Sequence, residues 1–199
     1  MQFLLILFLF FLIGFLIGSI PFGVLVAKIW RIDIRKYGSG NIGAANVLRA
    51  LGVFPGAIVF VLDFLKGMLA VYLGYWVGGK PEIVLALGIS VIFGHMFSIF
   101  LGFRGGRGAA TGMGVLAGLA PEIFVFAAIF ATALVLTTRY VSIASILTSM
   151  AVAILMFVFN EPILYSVATL LVVVFIVVRH IPNIKRLLLG TEPRIGEET

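Results

Sequence analysis

Cysteine is absent from the 199-residue chain, and only two histidines occur, His95 and His180. The first absence excludes disulfides, thiolate metal sites and cysteine nucleophiles. The second leaves too few imidazoles for an ordinary zinc site, so no metal and no cofactor is expected. Charge is scarce as well: charged residues make up 11% of the chain and hydrophobic residues 62%, against roughly 25% and 45–50% in a soluble domain. A soluble chain of this size cannot hide that much apolar surface in one core. The composition therefore reads as an integral membrane protein. The formal net charge of +6 does not point to nucleic acid, because the basic residues stand in short clusters between long apolar runs.

Those runs set the architecture. A helix needs roughly 20 apolar residues to cross a bilayer. Uncharged runs cover 3–27, 83–103, 140–160 and 162–178; two more carry internal charges, 50–79 with Asp63 and Lys66, and 108–138 with Glu122 after Pro121. All are continuous rather than alternating, which argues against a lipid-facing barrel. The first run has no basic n-region and no A-x-A site, so it reads as a span rather than a signal peptide. Run 108–138 is one span if continuous and two if broken at Ala120-Pro121-Glu122. Loop charge arbitrates. With seven spans, Lys28, Arg31, Arg35, Lys36, Arg49, Arg104, Arg107, Arg139, Arg179, Lys185, Arg186 and Arg194 share one side, 12 of the 14 Lys and Arg residues. With six, the basic C-terminal group splits from the first two loops. The expectation is an all-α integral membrane protein of seven transmembrane helices, N-terminus outside and C-terminus cytoplasmic. It would form a single polytopic membrane domain over 1–199, with a cytoplasmic tail from about 180. The fourth span, 109–120, is short: about 12 residues reach about 18 Å, under the roughly 30 Å hydrocarbon thickness. The glycine-rich backbone before it should dip into the protein and line a cytoplasm-facing pocket.

Three cytoplasmic segments carry the polar chemistry: Arg31 through Arg49, Gly102 through Gly112, and Arg179 through Arg194. The first two combine glycines with arginines and lead into a helix. Glycine lets N–H groups converge on an anion, a helix N-terminus adds positive potential, and Arg offers a planar fork to phosphate oxygens. Arg49 and Arg107 adjoin glycine-rich turns and are read as ligand contacts. Arg31, Arg35, Lys36 and Arg186 are expected only to set topology and touch lipid headgroups. Gly38, Gly40 and Gly43 also match G-x-G-x-x-G, with Asp63 20 residues on. That fingerprint needs a βαβ unit, which an apolar span cannot supply, so the match is coincidental. Within spans, Gly14 with Gly18 and Gly74 with Gly78 read as helix-packing contacts. Asp63 and Lys66, three apart on one helix face, are expected to pair as a structural clamp. His95 is expected to be hydrogen-bonded in the core. His180 and Asn183 lie one helical turn apart, on one face, and should donate to a ligand's oxygens. An anion-handling membrane enzyme and a transporter of an anionic phosphorylated metabolite both fit these residues. A transporter should show repeated halves with paired broken helices, and the chain has one break and no internal repeat.

The motifs together resemble the PlsY family of bacterial acyl-phosphate:glycerol-3-phosphate acyltransferases. The stretches that carry the resemblance are Gly18–Gly23, Gly38–Arg49, Asp63–Gly67, Gly94–Phe97, Gly102–Thr111, Arg139–Ser142 and Arg179–Arg194. It implies a phospholipid-biosynthetic enzyme of the bacterial inner membrane with its site facing the cytoplasm. The implied reaction moves a fatty acyl group from acyl phosphate to the sn-1 hydroxyl of glycerol 3-phosphate, releasing lysophosphatidic acid and phosphate. The implied catalytic residues are Ser39, Arg49, His180 and Asn183, and Glu192 looks structural. The expected substrate-binding residues are Gly38, Gly40, Asn41, Asn46, Gly105, Gly106, Arg107 and Gly108. The expected partners are the two substrates and membrane lipids, with no nucleic acid and with the chain as a monomer. Ala45 stands where the family usually has Thr, Arg104 and Arg107 where Lys is usual, and Ser98 where Pro is usual. The position five after His95 is Phe100, and that after His180 is Lys185. Neither is the Asp of the His-x4-Asp acyltransferases that use acyl-CoA or acyl carrier protein.

Overall fold

A computed structural model describes residues 1–196, and among these every regular element is helical. In chain order they are α1 (Gln2–Ser19), α2 (Phe22–Ile29), α3 (Ala44–Leu51), α4 (Val53–Trp76), α5 (Pro81–Met96), α6 (Ala109–Leu119), α7 (Pro121–Thr138), α8 (Val141–Val158), α9 (Ile163–Arg179) and α10 (Ile181–Leu188). Short 3-10 turns lie at Ile34–Lys36 and Ile99–Leu101. Five segments are long and apolar enough to cross a membrane, and six if the bent pair α9–α10 counts as one. The break expected after residue 119 is present: Ala120 leaves helical geometry at φ −142°, ψ 77°, and Pro121 starts α7 in the first-turn position where a missing N–H is harmless. α6 is left with 11 residues. The run expected as one span over 3–27 falls within one candidate span, Gln2–Ile29, whose helix is interrupted at Ile20–Pro21 because proline cannot donate to the α1 ladder.

The chain forms two compact units, one up to Leu119 and one from Ala120. In the first, α1 packs on α5, and α4 packs on α3, α5 and α6. These crossings are close because glycines face backbone. A Cβ at Gly14 or Gly18 would collide with Leu87 and Val91 of α5, and one at Gly94 would collide with Phe15 of α1. Gly67 and Gly114 do the same between α4 and α6, and Gly74 faces Val84 of α5. Small residues are what lets helices associate where lipid supplies no hydrophobic drive. Gly78, expected to pack with Gly74, instead sits in the turn after α4 at φ +128° with nothing near it; its role is the reversal itself. In the second unit α8 packs between α7 and α9, and α10 follows α9 after a 50° bend. Large side chains on α1, α7 and α9, among them Phe8, Ile129 and Leu171, remain exposed, as lipid-facing residues should be.

Two helix ends in the first unit are held by side chains rather than by more backbone. The break at Ile20 takes carbonyls at the end of α1 out of the helical ladder. Ser98 Oγ donates to the Ser19 carbonyl at 2.5 Å, and Lys66 Nζ donates to the Ile20 carbonyl at 3.0 Å. Lys66 also pairs with Asp63 Oδ1 at 2.6 Å, so the expected clamp is present. His95 Nδ1 lies 3.0 Å from the same ammonium and 3.4 Å from Asp63 Oδ1. The three side chains form one cluster, and all three are buried. The Phe22 ring lies 5.4 Å from the same ammonium.

Candidate active site

The first motif is built on a small apolar core. Val24 and Ala27 of α2, Ile34, Ile42, Val47 of α3 and Val59 of α4 are buried together. Ile42 is pressed so close to α2 that Gly23 has no room for a side chain against its carbonyl. Above this core Asn46, 1% exposed, organises the turn. Its Oδ1 accepts from the Ser39 N–H at 2.9 Å and from Ser39 Oγ at 3.2 Å. Its Nδ2 donates to the carbonyls of Tyr37 at 3.0 Å and Ile34 at 3.2 Å. Asn46, expected to bind substrate, therefore spends its amide on positioning Ser39. Gly38 and Gly40 hold φ of +51° and +69°, and a side chain on Gly38 would strike Asn46 Oδ1. Positive φ costs an L residue about 1–2 kcal/mol, which is the local reason for glycine here. Asn41 is half-buried, its amide against Gly43, and Gly43 caps the start of α3; Arg49 lies in the last turn of that helix, half-buried. Nearby, Arg35 grips Asp33 through Nε at 2.8 Å, and that bond pulls the Asp33 carboxyl down to about 2. Arg35 is thus an ion-pair partner rather than a free topology charge.

The second motif is folded onto the end of α5. The Gly105 N–H donates to the Met96 carbonyl at 3.1 Å and the Gly106 N–H to the His95 carbonyl at 2.9 Å. The expected anion nest does not use these two N–H groups, since backbone carbonyls already hold them. Their lack of a side chain does matter: a Cβ on Gly106 would overlap the His95 imidazole, and one on Gly105 the His95 carbonyl. Gly108 turns the chain at φ +84° against Met96 and delivers it to the first turn of α6. Arg107 is half-buried between them. His95 is in the core and hydrogen-bonded, as expected, and it supports the motif from below. Thr111, a residue the reading of single positions passed over, is fully buried in that first turn, its Oγ1 without a hydrogen-bond partner among the described residues. The signal was available only as the end of the glycine-rich stretch.

In the second unit His180 closes α9 and opens α10, and the Asn183 N–H donates to its carbonyl at 2.9 Å. The expected single turn between them is present. Both are buried, at 2% and 1% exposure. Their donors, however, are not left for a ligand. His180 Nδ1 donates to the Ile176 carbonyl at 2.8 Å, and Asn183 Nδ2 donates to Glu192 Oε1 at 2.6 Å. Arg186 Nε holds the other Glu192 oxygen at 2.8 Å. Arg186, expected to be a lipid-facing charge, is an internal partner of Glu192, whose buried carboxylate needs a cation. Burial pushes the Glu192 carboxyl up, but the bonds from Asn183 and Arg186, with Ser142 beside them, outweigh it and the net shift is downward. The segment carrying Glu192 is tied down in turn. Arg139 donates to the Ile195 carbonyl through Nε at 3.0 Å and through a terminal nitrogen at 2.6 Å, and Arg194 Nε donates to Tyr140 Oη at 2.9 Å.

The first unit thus carries the first two motifs and the second unit the third, and comparison with known proteins gives them a context. The sequence model of the glycerol-3-phosphate acyltransferase family matches residues 8–190. A glycerol-3-phosphate acyltransferase of Halalkalibacterium halodurans is 43% identical over 192 residues, covering 93% of each chain. One of Desulforamulus reducens is 44% identical over 186 residues, again 93% of each. Among solved structures, the glycerol 3-phosphate form of PlsY (YgiH), an integral membrane glycerol 3-phosphate acyltransferase, aligns with a TM-score of 0.90 and 38% identity over 96% of both chains. Its lysophosphatidic acid form aligns at 0.88 and 37%, over 96% of this chain and 95% of that one.

Proposed function

We propose an activity for this chain from one premise: the chain belongs to the glycerol-3-phosphate acyltransferase family. It transfers a fatty acyl group from acyl phosphate to the sn-1 hydroxyl of glycerol 3-phosphate, forming lysophosphatidic acid and inorganic phosphate. The observation that carries this reading is the match along 96% of the chain to an enzyme solved in its glycerol 3-phosphate form. We read residues 1–199 as one polytopic domain with seven spans, α6 being the short fourth. The N-terminus lies outside and the site faces the cytoplasm of the bacterial inner membrane, since that arrangement gathers 12 of the 14 Lys and Arg residues on one side. The chain acts as a monomer without metal or cofactor.

The chemistry asks little of a protein base. Acyl phosphate is a mixed anhydride with a good leaving group, so the site has to hold two anions together, keep water out and stabilise a tetrahedral oxyanion. Arg49 and Arg107 bind phosphate oxygens, with the Gly38–Asn41 and Gly105–Gly108 turns giving them close approach. Ser39, held by Asn46, and His180 orient the attacking hydroxyl. The hydroxyl oxygen bonds to the acyl carbon, the bond from that carbon to the bridging oxygen of the phosphate breaks, and the departing phosphate or a water takes the hydroxyl proton. Asn183 completes the catalytic set.

The test is phosphate release by purified protein given palmitoyl phosphate, with and without glycerol 3-phosphate. Release that depends on glycerol 3-phosphate, with lysophosphatidic acid formed and lost in Arg49→Ala, is the expected result. A folded protein that releases none, or that moves the metabolite only across a sealed vesicle, overturns the assignment.

A further inference from the structure

Helix α2 ends in a Schellman turn. Trp30 and Ile32 give their N–H groups to the Ala27 carbonyl at 3.1 and 3.2 Å, and Arg31 gives its own to the Lys28 carbonyl at 2.9 Å. The residue at the apex of such a turn lies in the left-handed region and is usually glycine; here it is Arg31, at φ +59°. Glycine would escape the steric cost of that backbone, so the guanidinium is what the position gains by departing from it. Arg31 and Lys28 line a partly open cavity of about 330 Å³, together with Val24, Ile32, Asp33 and Arg35. That volume lies within the range of small-ligand pockets. The one acid in the lining is already neutralised, since Arg35 grips Asp33 through Nε at 2.8 Å and through a terminal nitrogen at 2.9 Å. The side chains of Lys28 and Arg31 make no hydrogen bond or ion pair among the described residues. The lining therefore holds two uncompensated positive charges. The helix-end carbonyls of Ala27 and Lys28, which would repel an anion, are occupied by the turn itself.

We propose that this cavity binds the phosphodiester of an anionic phospholipid, with Lys28 and Arg31 on its non-bridging oxygens. The site goes beyond the acyltransferase reading and uses none of the residues assigned to the reaction. Its place favours a lipid over a soluble phosphate. The cavity lies at the end of the candidate span Gln2–Ile29, at the level of headgroups, and the partly exposed Trp30 stands there as interfacial aromatic residues do. Leu25 and Ile29 of α2 are exposed and four residues apart, and Lys28 is three beyond Leu25. An apolar stripe therefore runs along the helix up to the ammonium. An acyl chain fits the stripe while its phosphate fits the cations; a soluble phosphate would use only the second. A guanidinium fork beside an ammonium suits an oxygen-rich anion, whereas the cation of a zwitterionic headgroup would be repelled. Basic residues beside a span usually act as interchangeable charges; the turn that ends α2 singles out two of them.

The experiment measures the dissociation constant of the first bound lipid by native mass spectrometry of the full-length protein in one detergent, with dioleoyl phosphatidylglycerol or dioleoyl phosphatidylcholine as the probe. Wild type is expected to hold phosphatidylglycerol about tenfold more tightly than phosphatidylcholine, or better. Arg31→Gly and Lys28→Gln should each weaken phosphatidylglycerol about fivefold and leave phosphatidylcholine unchanged. Arg31→Gly suits the turn, so its melting temperature should equal or exceed that of wild type, which separates lost binding from lost folding. Lys36→Gln is the control. Lys36 is exposed in the same segment but lies outside the cavity lining, and its loss should change the constant by less than about twofold. Equal wild-type affinity for the two lipids, the full phosphatidylglycerol preference in either cavity variant, or an equal loss in Lys36→Gln overturns the inference. Displacement of bound phosphatidylglycerol by millimolar inorganic phosphate overturns it too, because the occupant would then be a soluble anion.

Discussion

Replacing Lys66 by methionine removes a buried ammonium while keeping the length of the side chain. In the folded protein that ammonium lies 2.6 Å from Asp63 Oδ1, 3.0 Å from the Ile20 carbonyl and 3.0 Å from His95 Nδ1. Lys66→Met therefore removes the cation from a helix-terminal carbonyl and from a buried carboxylate whose remaining neighbour is the His95 ring, at 3.4 Å. Removing one partner of a buried pair costs about 3–5 kcal/mol, and polar contacts between membrane helices run at the lower end of such figures. A loss of about 3 kcal/mol in a chain of this size corresponds to about 6–12 °C in apparent melting temperature. The measurement is thermal unfolding in one detergent, followed by intrinsic fluorescence of Trp30 and Trp76. The reasoning makes a second demand. Lys66→Met combined with Asp63→Leu removes the orphaned charge with its partner, so the double variant must melt above the Lys66→Met single variant. A single variant within about 2 °C of the parent, or a double variant less stable than the single, refutes the argument that charge pairing holds this point of the fold.

Gly106→Ala forces a methyl group into the His95 ring; the loop must shift, and KM for glycerol 3-phosphate is expected to rise about tenfold or more in steady-state assays while the detergent melting temperature changes by only a few degrees. Asn46→Ala strips Ser39 of its acceptor and two carbonyls of their donor, and about 2–4 kcal/mol of local stability goes with it, seen as faster amide exchange over 34–46. For Glu192, burial raises the carboxyl, but the Asn183, Ser142 and Arg186 contacts lower it by more, so its folded value lies below its unfolded one. Its stabilisation is then complete above the unfolded value and disappears as pH falls through the folded one. Melting curves should accordingly be flat from pH 5 to 8 in this respect and drop below about pH 4, and Glu192→Gln should flatten that acid limb. Ser98→Pro deletes the bond to the Ser19 carbonyl; where the family's usual proline is restored, a change of about 1 kcal/mol or less is expected.

Apolar length carried most of the helices into view. The break before Pro121 was legible because proline and an acidic residue together make a helix start, and the Asp63–Lys66 pair was legible because a three-residue spacing leaves two opposite charges little else to do. The interruption at Ile20–Pro21 was less legible, since the apolar run continues through it and only the proline marks it. At the candidate site, residue types and order picked out the polar segments, while hydrogen-bond partners did not follow from them. That Gly105 and Gly106 give their N–H groups to Met96 and His95, or that Asn183 gives its amide to Glu192, depends on how each segment folds back on its neighbour. Arg186 was misassigned for the same reason: its partner Glu192 lies beyond one helical turn, and nothing in a basic stretch announces which member will be buried.

The buried ammonium of Lys66 also bears on the energetics of the membrane around it. A charged group inside a span is a stepping stone for protons whenever it can exchange one partner for another, and a leak of that kind would drain the electrochemical gradient the cell lives on. Here the ammonium is held against Asp63 of α4, His95 of α5 and the Ile20 carbonyl, and α4 and α5 meet at a glycine-lined crossing. Moving it would mean giving up all three buried contacts at once. A cluster fixed in this way keeps charge inside the bilayer without handing protons across it.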